Sequence, residues 1–267
     1  MQETLFPNAW ATAITARIWP PLFRVWHDRV IVSRSLGTAR ALRIAFASDL
    51  HAGPHTPQVS IRTACAALMD AEPELILLGG DFVSVDHRYV HQLIEPLSTL
   101  RAPLGVHAVL GNHDHWAGAL EVAGVLGAAG VNVLTNSSLR LPAPFENTVI
   151  VGIDDHTSGA PDADRVQWHH GLTTLLLVHQ PSGLLDIGNR LFDVAFAGHT
   201  HGGQITMPGG YAPVVPTGAL SRRYLAGRYE VDGNGTLFVS VGVGNSSLPL
   251  RFGPRPEILV CEVSSAG

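Results

Sequence analysis

Short apolar runs alternate with helix-like segments from about Leu42 onward, and no other feature of the sequence constrains the fold as strongly. Several runs are continuous stretches of Val, Ile and Leu, which is typical of strands that are buried on both faces. Such alternation predicts an α/β layered fold. The predicted strands are Leu42–Ser48, Glu74–Leu78, Val106–Leu110, Thr148–Ile153, Thr173–Val178, Asp193–Ala197, Thr236–Val241 and Glu257–Val263.

Helical segments are predicted between the strands, and the later part of the chain has a different character. From Gly198 to Pro256 the sequence is rich in glycine and proline, which indicates loops and antiparallel strands that complete a second sheet. The simplest organisation is an N-terminal extension over residues 1–41 and one α/β domain over residues 42–267. The predicted helices are Gln58–Ala71, Arg88–Leu100, Ala117–Ala129, Asp164–His170 and Ser182–Ile187.

The balance of charge argues against one class of partner. The 267 residues carry a formal net charge of −5, whereas broad nucleic-acid binding usually leaves a basic footprint. We therefore expect no specific nucleic acid as a partner. The charge is uneven, because residues 1–43 hold six arginines against two acidic residues, a local balance of +4.

Cysteine usage and targeting patterns favour a cytoplasmic protein. Cys65 and Cys261 each lie in an apolar run, where a cysteine usually acts as a small buried hydrophobic residue, and this usage favours a reducing compartment. No stretch approaches the ~18–20 apolar residues of a membrane-spanning helix, and no signal-peptide pattern is present. The expected location is the cytoplasm, with peripheral contact at the inner face of the membrane left open.

Side chains that bind metals follow the predicted strands directly. In open α/β sheets, ligand sites form at the carboxyl ends of strands, so these side chains are expected to meet at one edge. Taken singly, each motif has an ordinary explanation as a turn, a solvated loop or a core histidine, and their joint occurrence after five strands is what indicates a site. They are Asp49 and His51, then Asp81, then Asn112, His113 and Asp114, then His179, and finally His199 and His201.

The spacing within two of these motifs has a geometric meaning. In Asp49-x-His51 and His199-x-His201, period-two geometry puts both side chains on one side of an extended segment. Carboxylate oxygens and imidazole nitrogens together suit Mn²⁺, Fe or Zn²⁺ better than Ca²⁺. A bridging carboxylate can hold two such ions ~3.5–4 Å apart. We therefore expect two divalent metal ions as cofactors, with manganese, iron and zinc all open.

Other polar residues near strand ends have no spacing that sets them apart from ordinary loop residues. Those interpreted in this way are Asp86, His115, Asp154, Asp155 and His156. Several arginines could meet a substrate phosphate, because a guanidinium pairs well with phosphate oxygens, although solvated loop positions are the simpler explanation. These arginines are Arg222, Arg223, Arg251 and Arg255.

The motif set resembles that of the calcineurin-like metallophosphoesterases over about Ile44 to Val263. The residues that carry the resemblance are Asp49-x-His51, Gly80-Asp81, Gly111-Asn112-His113-Asp114, His179 and Gly198-His199-x-His201. The resemblance implies a four-layer αββα sandwich of two mixed sheets. It also implies a metal-dependent phosphoric ester hydrolase, in which water activated between two metal ions attacks phosphorus.

Residue roles follow from the resemblance by matching positions. One metal would be bound by Asp49, His51 and His201. The other would be bound by Asn112, His179 and His199, with Asp81 bridging the two. The resemblance further implies that His113 faces the scissile phosphate and that Asp114 orients His113.

Longer stretches narrow the resemblance to a bacterial branch of membrane-associated phosphodiesterases. They are Gly198-His-Thr-His-Gly-Gly-Gln204, Gly242-Val-Gly-Asn-Ser and Arg255-Pro-Glu257. Some members cleave the pyrophosphate of UDP-diacylglucosamine, which implies a phosphodiesterase or pyrophosphatase acting on a lipid-linked or nucleotide diphosphate. Ser84 and Ser182 stand where the family often has acids, which bears on the substrate branch. The alternative is a non-catalytic metal-binding or membrane-surface module on the same fold.

The segment from about Leu5 to Trp26 is dense in Trp and Phe and precedes the predicted domain. Aromatic rings favour the headgroup zone of a bilayer, and the local positive charge would attract anionic lipid. We expect peripheral membrane contact through residues 5–26. The alternative is a segment that packs against the domain with its tryptophans pointing inward.

Overall fold

Twelve strands and three α-helices form the regular structure of the described residues, 23–84 and 86–266, in a computed structural model. The strands are β1 (Arg24–Val32), β2 (Leu42–Ala47), β3 (Leu75–Leu78), β4 (Val106–Ala108), β5 (Asn132–Val133), β6 (Ser137–Arg140), β7 (Thr148–Gly152), β8 (Thr173–Leu177), β9 (Val194–Ala197), β10 (Gly227–Glu230), β11 (Thr236–Val239) and β12 (Glu257–Ser265). The helices are α1 (Gln58–Asp70), α2 (Ile94–Leu97) and α3 (Asn112–Ala128), with 3-10 helices at His87–Leu93, Pro181–Leu185 and His201–Gly203.

The strands form two mixed sheets of six strands each. The first sheet has the order β1-β12-β2-β3-β4-β5, and the second has the order β10-β11-β9-β8-β7-β6. In the first sheet β2 to β5 are parallel, while β12 runs antiparallel to β2 and parallel to β1. In the second sheet the four central strands are parallel and both edge strands are antiparallel. The α/β fold of two mixed sheets expected from the sequence is confirmed.

An apolar interior lies between the two sheets. Side chains alternate along a strand, so β2 directs Phe46 into this interior and Ala45 to the opposite face. The ring centroid of Phe46 lies 5.4 Å from that of Phe196 on β9, and Phe196 lies 5.8 Å from Phe238 on β11. The continuous apolar runs of the sequence are explained by this arrangement, because both faces of each central strand are buried.

The outer faces of the two sheets are covered differently. Helices α1 and α3 cover the first sheet, and α1 contributes Ile61, Ala64 and Leu68 at helical spacing. Against the second sheet lie loops and the 3-10 helix Pro181–Leu185, with Phe192 buried in the same cluster. Within the described part of the chain, this outer layer contains no α-helix.

All eight predicted strands are present, with ends that differ by at most two residues. The strands β1, β5, β6 and β10 were not predicted, and they are the four edge strands of the two sheets. Edge strands are partly exposed, so they do not need the continuous apolar runs on which the prediction relied.

The helix predictions were confirmed in part. Helix α1 is confirmed, while α3 begins five residues before its predicted start and is interrupted at Gly118, where φ is 121°. The segment predicted as Arg88–Leu100 is a 3-10 helix that leads into α2. The prediction at Ser182–Ile187 corresponds to the 3-10 helix Pro181–Leu185.

The helix predicted at Asp164–His170 is wrong. The Asp162 Oδ1 atom accepts hydrogen bonds from the amides of Asp164 and Arg165, at 3.0 and 3.3 Å. The Trp168 indole donates to the carbonyl of Ala163 at 2.9 Å. These local side-chain bonds offer the backbone an alternative to the helical ladder.

The first strand, β1, lies before the domain boundary that was predicted between residues 41 and 42. All nine residues of β1 pair with β12, from Arg24 opposite Glu257 to Val32 opposite Ser265. The ring of Trp26 packs edge-on against Phe238, with centroids 5.4 Å apart, so this tryptophan points inward. Residues 24–32 therefore belong to the first sheet and not to an extension. Residues 1–22, which hold most of the segment expected at a membrane, lie outside the described residues.

Both cysteines are free and buried, as expected. Burial raises the pKa of each thiol, to about 12 for Cys65 and about 12 for Cys261, which makes both unreactive. None of the helices in residues 23–84 and 86–266 has the length and apolar character needed to cross a bilayer.

We expect Phe196→Ala to lower the free energy of unfolding by about 3–5 kcal/mol, because removing a fully buried ring leaves a cavity between the sheets. Ile31→Ala, at a side chain that is mostly exposed, is the control and should change stability by less than about 0.5 kcal/mol. Denaturant unfolding followed by circular dichroism measures both. A loss below about 1 kcal/mol for Phe196→Ala would contradict this account of the interior.

Candidate metal centre

The carboxyl ends of β2, β3, β4, β8 and β9 meet at one edge of the sandwich, and the loops that follow are bonded to one another. The amides of Asp49 and His51 donate to the carbonyls of Gly80 and Asp81, both at 2.9 Å. Across the two sheets, the amide of His199 donates to Oδ2 of Asp49 at 3.0 Å. The loops of both sheets are thereby held at the edge where the sequence places the ligand candidates.

Tight turns put several of these candidates in a backbone conformation that residues with side chains seldom adopt. Positive φ angles of this kind cost of order 1–3 kcal/mol each and cluster at functional sites. The residues concerned are Asp49 (56°), His51 (45°), Asp81 (54°), His199 (69°) and His201 (52°).

Two glycines allow the loops to approach each other closely. A β-carbon at Gly111 would lie 2.2 Å from Oδ1 of Asp81, and one at Gly198 would lie 2.0 Å from Oγ of Ser48. Neither distance leaves room for a side chain. The glycines beside the ligand candidates are therefore required by the close crossing of the loops.

The first ligand group comprises Asp49, His51 and His201, all of them buried. The Nε2 atoms of His51 and His201 are 3.0 Å apart. Oδ1 of Asp49 lies 3.9 Å from Nε2 of His51 and 3.4 Å from Nε2 of His201. Such separations are those expected of atoms that share one ion at about 2.0–2.2 Å.

The second ligand group surrounds Nε2 of His179. This atom lies 3.2 Å from Nδ1 of His199, 3.2 Å from Oδ1 of Asn112 and 3.4 Å from Oδ2 of Asp81. The same Asp81 oxygen lies 3.5 Å from Nε2 of His51 in the first group. The structure thus brings all seven predicted metal-binding residues together, with one carboxylate oxygen facing both groups.

The orientation of two rings in the second group suits positive charge between them, either a proton on His179 or a metal ion. Nδ1 of His179 lies 2.8 Å from the carbonyl oxygen of Gly79, and Nε2 of His199 lies 2.8 Å from that of Thr217. A carbonyl only accepts hydrogen bonds, so these two nitrogens carry the hydrogens. In neutral rings the opposite nitrogens then present lone pairs to each other at 3.2 Å. This donor set fits a metal ion, which accepts both lone pairs.

Protons compete with a metal ion for this centre. Burial opposes charge on His179, but the Asp81 carboxylate outweighs it and holds the pKa of His179 well above its ordinary value. Burial lowers the pKa of His51 and His201 well below the ordinary value, and that of His199 to about 4. Three rings are therefore neutral and able to coordinate, and His179 would have to give up a proton in order to coordinate a metal ion.

Of the four arginines considered as phosphate ligands, Arg251 reaches the metal-binding residues. Its Nη2 atom lies 3.0 Å from Nδ1 of His201, and its Nε donates to the carbonyl of Gly244 at 3.1 Å. Burial lowers the pKa of Arg251 to about 10, so the guanidinium stays charged at neutral pH. This charge lies behind His201, in contrast to the exposed positions of Arg222, Arg223 and Arg255.

His113 lies between the first ligand group and the surface. Its ring centroid is 4.8 Å from that of His51 and 4.7 Å from that of Trp116, which is 64% exposed. Nδ1 of His113 contacts the carbonyl oxygen of Ser84, which leaves Nε2 as the nitrogen available to a substrate. The amide of His113 donates to Oδ1 of Asp81 at 2.9 Å, so the residue is tied to the centre.

The expected contact between Asp114 and the ring of His113 is wrong. Oδ1 of Asp114 accepts from the amides of Phe82 and Val83, at 2.8 and 3.2 Å, and Oδ2 accepts from the amide of Gly111 at 2.9 Å. A carboxylate placed in this way caps the start of α3 and ties it to the loop after β3. Asp114 therefore holds the loops in place, and a backbone carbonyl orients His113 instead.

Residues interpreted as loop groups form a polar network beside the second ligand group. Nε2 of His115 lies 2.8 Å from Oδ1 of Asp154, and Gln180 donates to Asp155 at 2.8 Å. Because Gln180 directly follows His179, this network braces the loop that carries a ligand. This network could not be predicted from the sequence, because its members share no regular spacing.

Two residues of that set have the ordinary loop roles that the sequence suggested. Asp86 accepts from the amide of Arg88 at 2.8 Å and caps a 3-10 helix, and His156 lies 2.8 Å from Asp186. The partners that sequence reasoning missed are mostly backbone carbonyls, such as that of Thr217. A carbonyl carries no side-chain signature, so no motif could have revealed these partners.

Four histidines, two aspartates and an asparagine amide at one edge of an α/β sandwich define a centre that is able to hold metal ions. A sequence profile described as "Calcineurin-like phosphoesterase superfamily domain" matches residues 42–231, which is well over half of the chain. The chain belongs to the calcineurin-like phosphoesterase superfamily and is a metal-dependent hydrolase of phosphate esters.

Similar proteins occur in bacteria and animals. The chain is 32% identical over 224 residues to the "Uncharacterized metallophosphoesterase YkuE" of Bacillus subtilis, covering 82% of this chain and 77% of that protein. It is 32% identical over 232 residues to the "Phosphodiesterase YaeI" of Escherichia coli, covering 84% and 83%. A "Transmembrane protein with metallophosphoesterase domain" of Danio rerio is 26% identical, with 90% of this chain and 56% of that protein covered.

A solved structure supports the fold. The dimetal phosphatase of Danio rerio superposes with a TM-score of 0.51 at 12% identity, covering 76% of this chain and 88% of that one. At this identity the likeness concerns the fold alone, and it agrees with the two mixed sheets described above.

We expect Asp81→Ala to lose both metal ions and His201→Ala chiefly to weaken one, because the Asp81 oxygen faces both ligand groups and His201 faces the first. Metal content per chain, measured after purification and dialysis, tests this. His27→Ala, at an exposed histidine of β1, is the control and should keep the content of the unmodified protein. A metal content near that of the unmodified protein in the Asp81 variant would contradict the assignment of Asp81 as the bridging ligand.

Proposed function

We propose that this enzyme is a phosphodiesterase or pyrophosphatase that works with two divalent metal ions, manganese, iron or zinc. The observation that carries the proposal is Oδ2 of Asp81, which lies 3.5 Å from Nε2 of His51 and 3.4 Å from Nε2 of His179. One oxygen that faces two ligand groups is suited to bridge two ions. The relative in Escherichia coli is named a phosphodiesterase, which supports hydrolysis of a diester.

The side chains of the centre divide into two sets of ligands. When bound, the ions would lower the pKa of water to about 7 and neutralise charge on the phosphate. Asp49, His51 and His201 would hold one ion, Asn112, His179 and His199 the other, and Asp81 both. Hydrogen bonds from the rings of His179 and His199 to backbone carbonyls fix which nitrogen faces the ion.

His113 is the proposed group that meets the substrate phosphate. The Ser84 carbonyl holds Nδ1, so Nε2 faces the open side of the centre. As an imidazolium, the ring can give the Nε2 proton to the departing alkoxide or stabilise its charge. Asp114 contributes indirectly, because it ties the loop after β3 to the start of α3, on which His113 lies.

The proposed substrate is a lipid-linked or nucleotide diphosphate, and the proposed location is the cytoplasmic face of a membrane. Support comes from the motif resemblance, from the aromatic residues 5–26 and from the local charge of +4 in residues 1–43. The name of the Danio rerio relative places that longer protein in a membrane. A screen of lipid-linked and nucleotide diphosphates with the purified, metal-loaded protein tests the substrate class.

We expect His113→Ala to keep its metal content and to lose turnover by about 10²–10⁴-fold on an alkyl phosphodiester, because general acid catalysis is typically worth that factor. The loss should shrink on bis-nitrophenyl phosphate, whose leaving group needs less protonation. Steady-state kinetics on both esters measure the difference. Equal losses on the two would show that His113 positions the phosphate without donating a proton, and unchanged turnover would remove it from the site.

The membrane role of residues 5–26 is tested in the full chain. We expect Trp10→Ser combined with Trp19→Ser to weaken co-sedimentation with anionic liposomes, because tryptophan favours the headgroup zone. The control is Trp168→Ser, since Trp168 is partly buried against the second sheet. Unchanged sedimentation together with a lower melting temperature of the double variant would favour a segment packed on the domain.

A further inference from the structure

Large apolar side chains are exposed on two loops beside the metal centre. One loop follows His201 and the other precedes β12, and they are joined where the amide of Thr206 donates to the carbonyl of Phe252 at 2.8 Å. Five of these side chains, each between 42% and 73% exposed, are named the apolar collar. They are Met207, Tyr211, Val214, Leu248 and Leu250.

The apolar collar is attached directly to the metal-binding residues. Leu250 precedes Arg251, whose guanidinium contacts His201. Arg251 is buried whereas its neighbour Leu250 is 42% exposed, so the two side chains point in different directions. Gly203 follows His201 by two residues, and a β-carbon there would lie 2.3 Å from that of Ala212. This close packing fixes the other part of the collar beside the centre.

An apolar ring also lies beside His113, whose ring contacts that of His51 in the first ligand group. Trp116, on α3, is 64% exposed and packs on the ring of His113 with a centroid distance of 4.7 Å. Exposed apolar side chains therefore lie next to His113 as well as on the loop that follows His201. Clustered apolar surface of this kind marks an interaction site more often than isolated exposed residues do.

The loops that carry the apolar collar contain no carboxylate. Residues 194–229 and 233–256 include no Asp or Glu, although the whole chain has a formal charge of −5. Arg222 and Arg255 are exposed there, and Arg222 lies 3.4 Å from a carbonyl oxygen of the collar loop. Within residues 23–84 and 86–266, no salt bridge joins either arginine to an acid. Apolar side chains mixed with uncompensated cations fit an anionic lipid surface.

The starts of β12 and β1 also lie at the edge of the sandwich that holds the metal centre. The amide of Glu257, the first residue of β12, donates to the carbonyl of Gly242 at 3.2 Å. A β-carbon on Gly242 would lie 2.6 Å from that of Asp49, so β12 begins beside the ligands. Because β1 runs parallel to β12 with Arg24 opposite Glu257, β1 also begins at the metal edge.

We propose that the apolar collar is a lipid-docking surface, which seats the opening of the metal centre on an anionic bilayer. The collar side chains enter the headgroup zone while Arg222 and Arg255 meet lipid phosphates. The substrate ester then reaches the ligand groups from the bilayer surface. The choice of substrate rests on the proposed function, but the docking itself does not.

Two double variants of the full chain distinguish lipid binding through the apolar collar from nonspecific lipid binding by exposed apolar side chains. The collar variant is Val214→Ser with Leu248→Ser, at side chains that are 73% and 47% exposed. The matched control is Ile31→Ser with Leu191→Ser, at 68% and 51% exposed. Ile31 is near the end of β1 and Leu191 precedes β9, so both lie at the sheet edge opposite the metal centre. Each metal-loaded protein is sedimented with vesicles of phosphatidylcholine, alone or mixed with phosphatidylglycerol.

We expect the unmodified protein and the control to bind the mixed vesicles equally and more tightly than pure phosphatidylcholine. The collar variant should bind the mixed vesicles about tenfold more weakly, because two apolar contacts with the headgroup zone are lost. Turnover of soluble bis-nitrophenyl phosphate should be the same in all three. If no protein turns over this ester while the binding pattern holds, the proposed function fails and the docking surface stands.

Three results would overturn the docking surface. One is equal sedimentation of all three proteins with the mixed vesicles. Another is a dimer in light scattering that only the collar variant loses, because a second copy of the chain would then cover the collar. The last is unchanged vesicle binding together with a melting temperature lowered in the collar variant alone, which would mean that residues 1–22 cover these side chains.

Discussion

The carboxylate of Asp81 is the constraint on which the rest of the centre depends. One of its oxygens faces both ligand groups, and the other accepts the amide of His113. Its position demands a left-handed backbone at Asp81 and the absence of a side chain at Gly111. A buried carboxylate is costly without compensation, which the proton on His179 or a bound cation supplies. Metal binding and the closure of these loops are therefore coupled.

The parts of the fold that the sequence predicted are those buried on both sides. Four such strands, β2, β3, β8 and β9, are continuous apolar runs in the sequence. Helices or loops cover one face of each strand and the opposite sheet covers the other face. The four edge strands escaped prediction because half of their environment is solvent, and β1 mixes charged residues with Val and Ile. The helix predicted at Asp164–His170 is absent because side-chain hydrogen bonds compete with helical ones there. Asp162 accepts hydrogen bonds from the backbone amides at the start of the predicted helix.

For the site, the sequence predicted which side chains meet but not what holds them. Motifs at strand ends indicated all seven ligand candidates, because topology brings the ends of parallel strands to one edge. Asp114 was expected to act on the ring of His113, yet it accepts three backbone amides. A sequence motif specifies side chains, so it does not show which backbone amides and carbonyls will form hydrogen bonds. The apolar collar was missed for a related reason, because its members come from two loops and follow no period.

The central place of β12 has a consequence for how the molecule is made. This strand comes after every other strand in the sequence, yet it lies between β1 and β2, and its first residue is bonded to Gly242 beside Asp49. During synthesis β1 and β2 emerge early and have no neighbour between them until residues 257–265 follow. The first sheet is then divided, with two unpaired strand edges exposed to other nascent chains. The metal edge is therefore completed only after β12 has paired with both of these strands, because the first residue of β12 is bonded beside Asp49.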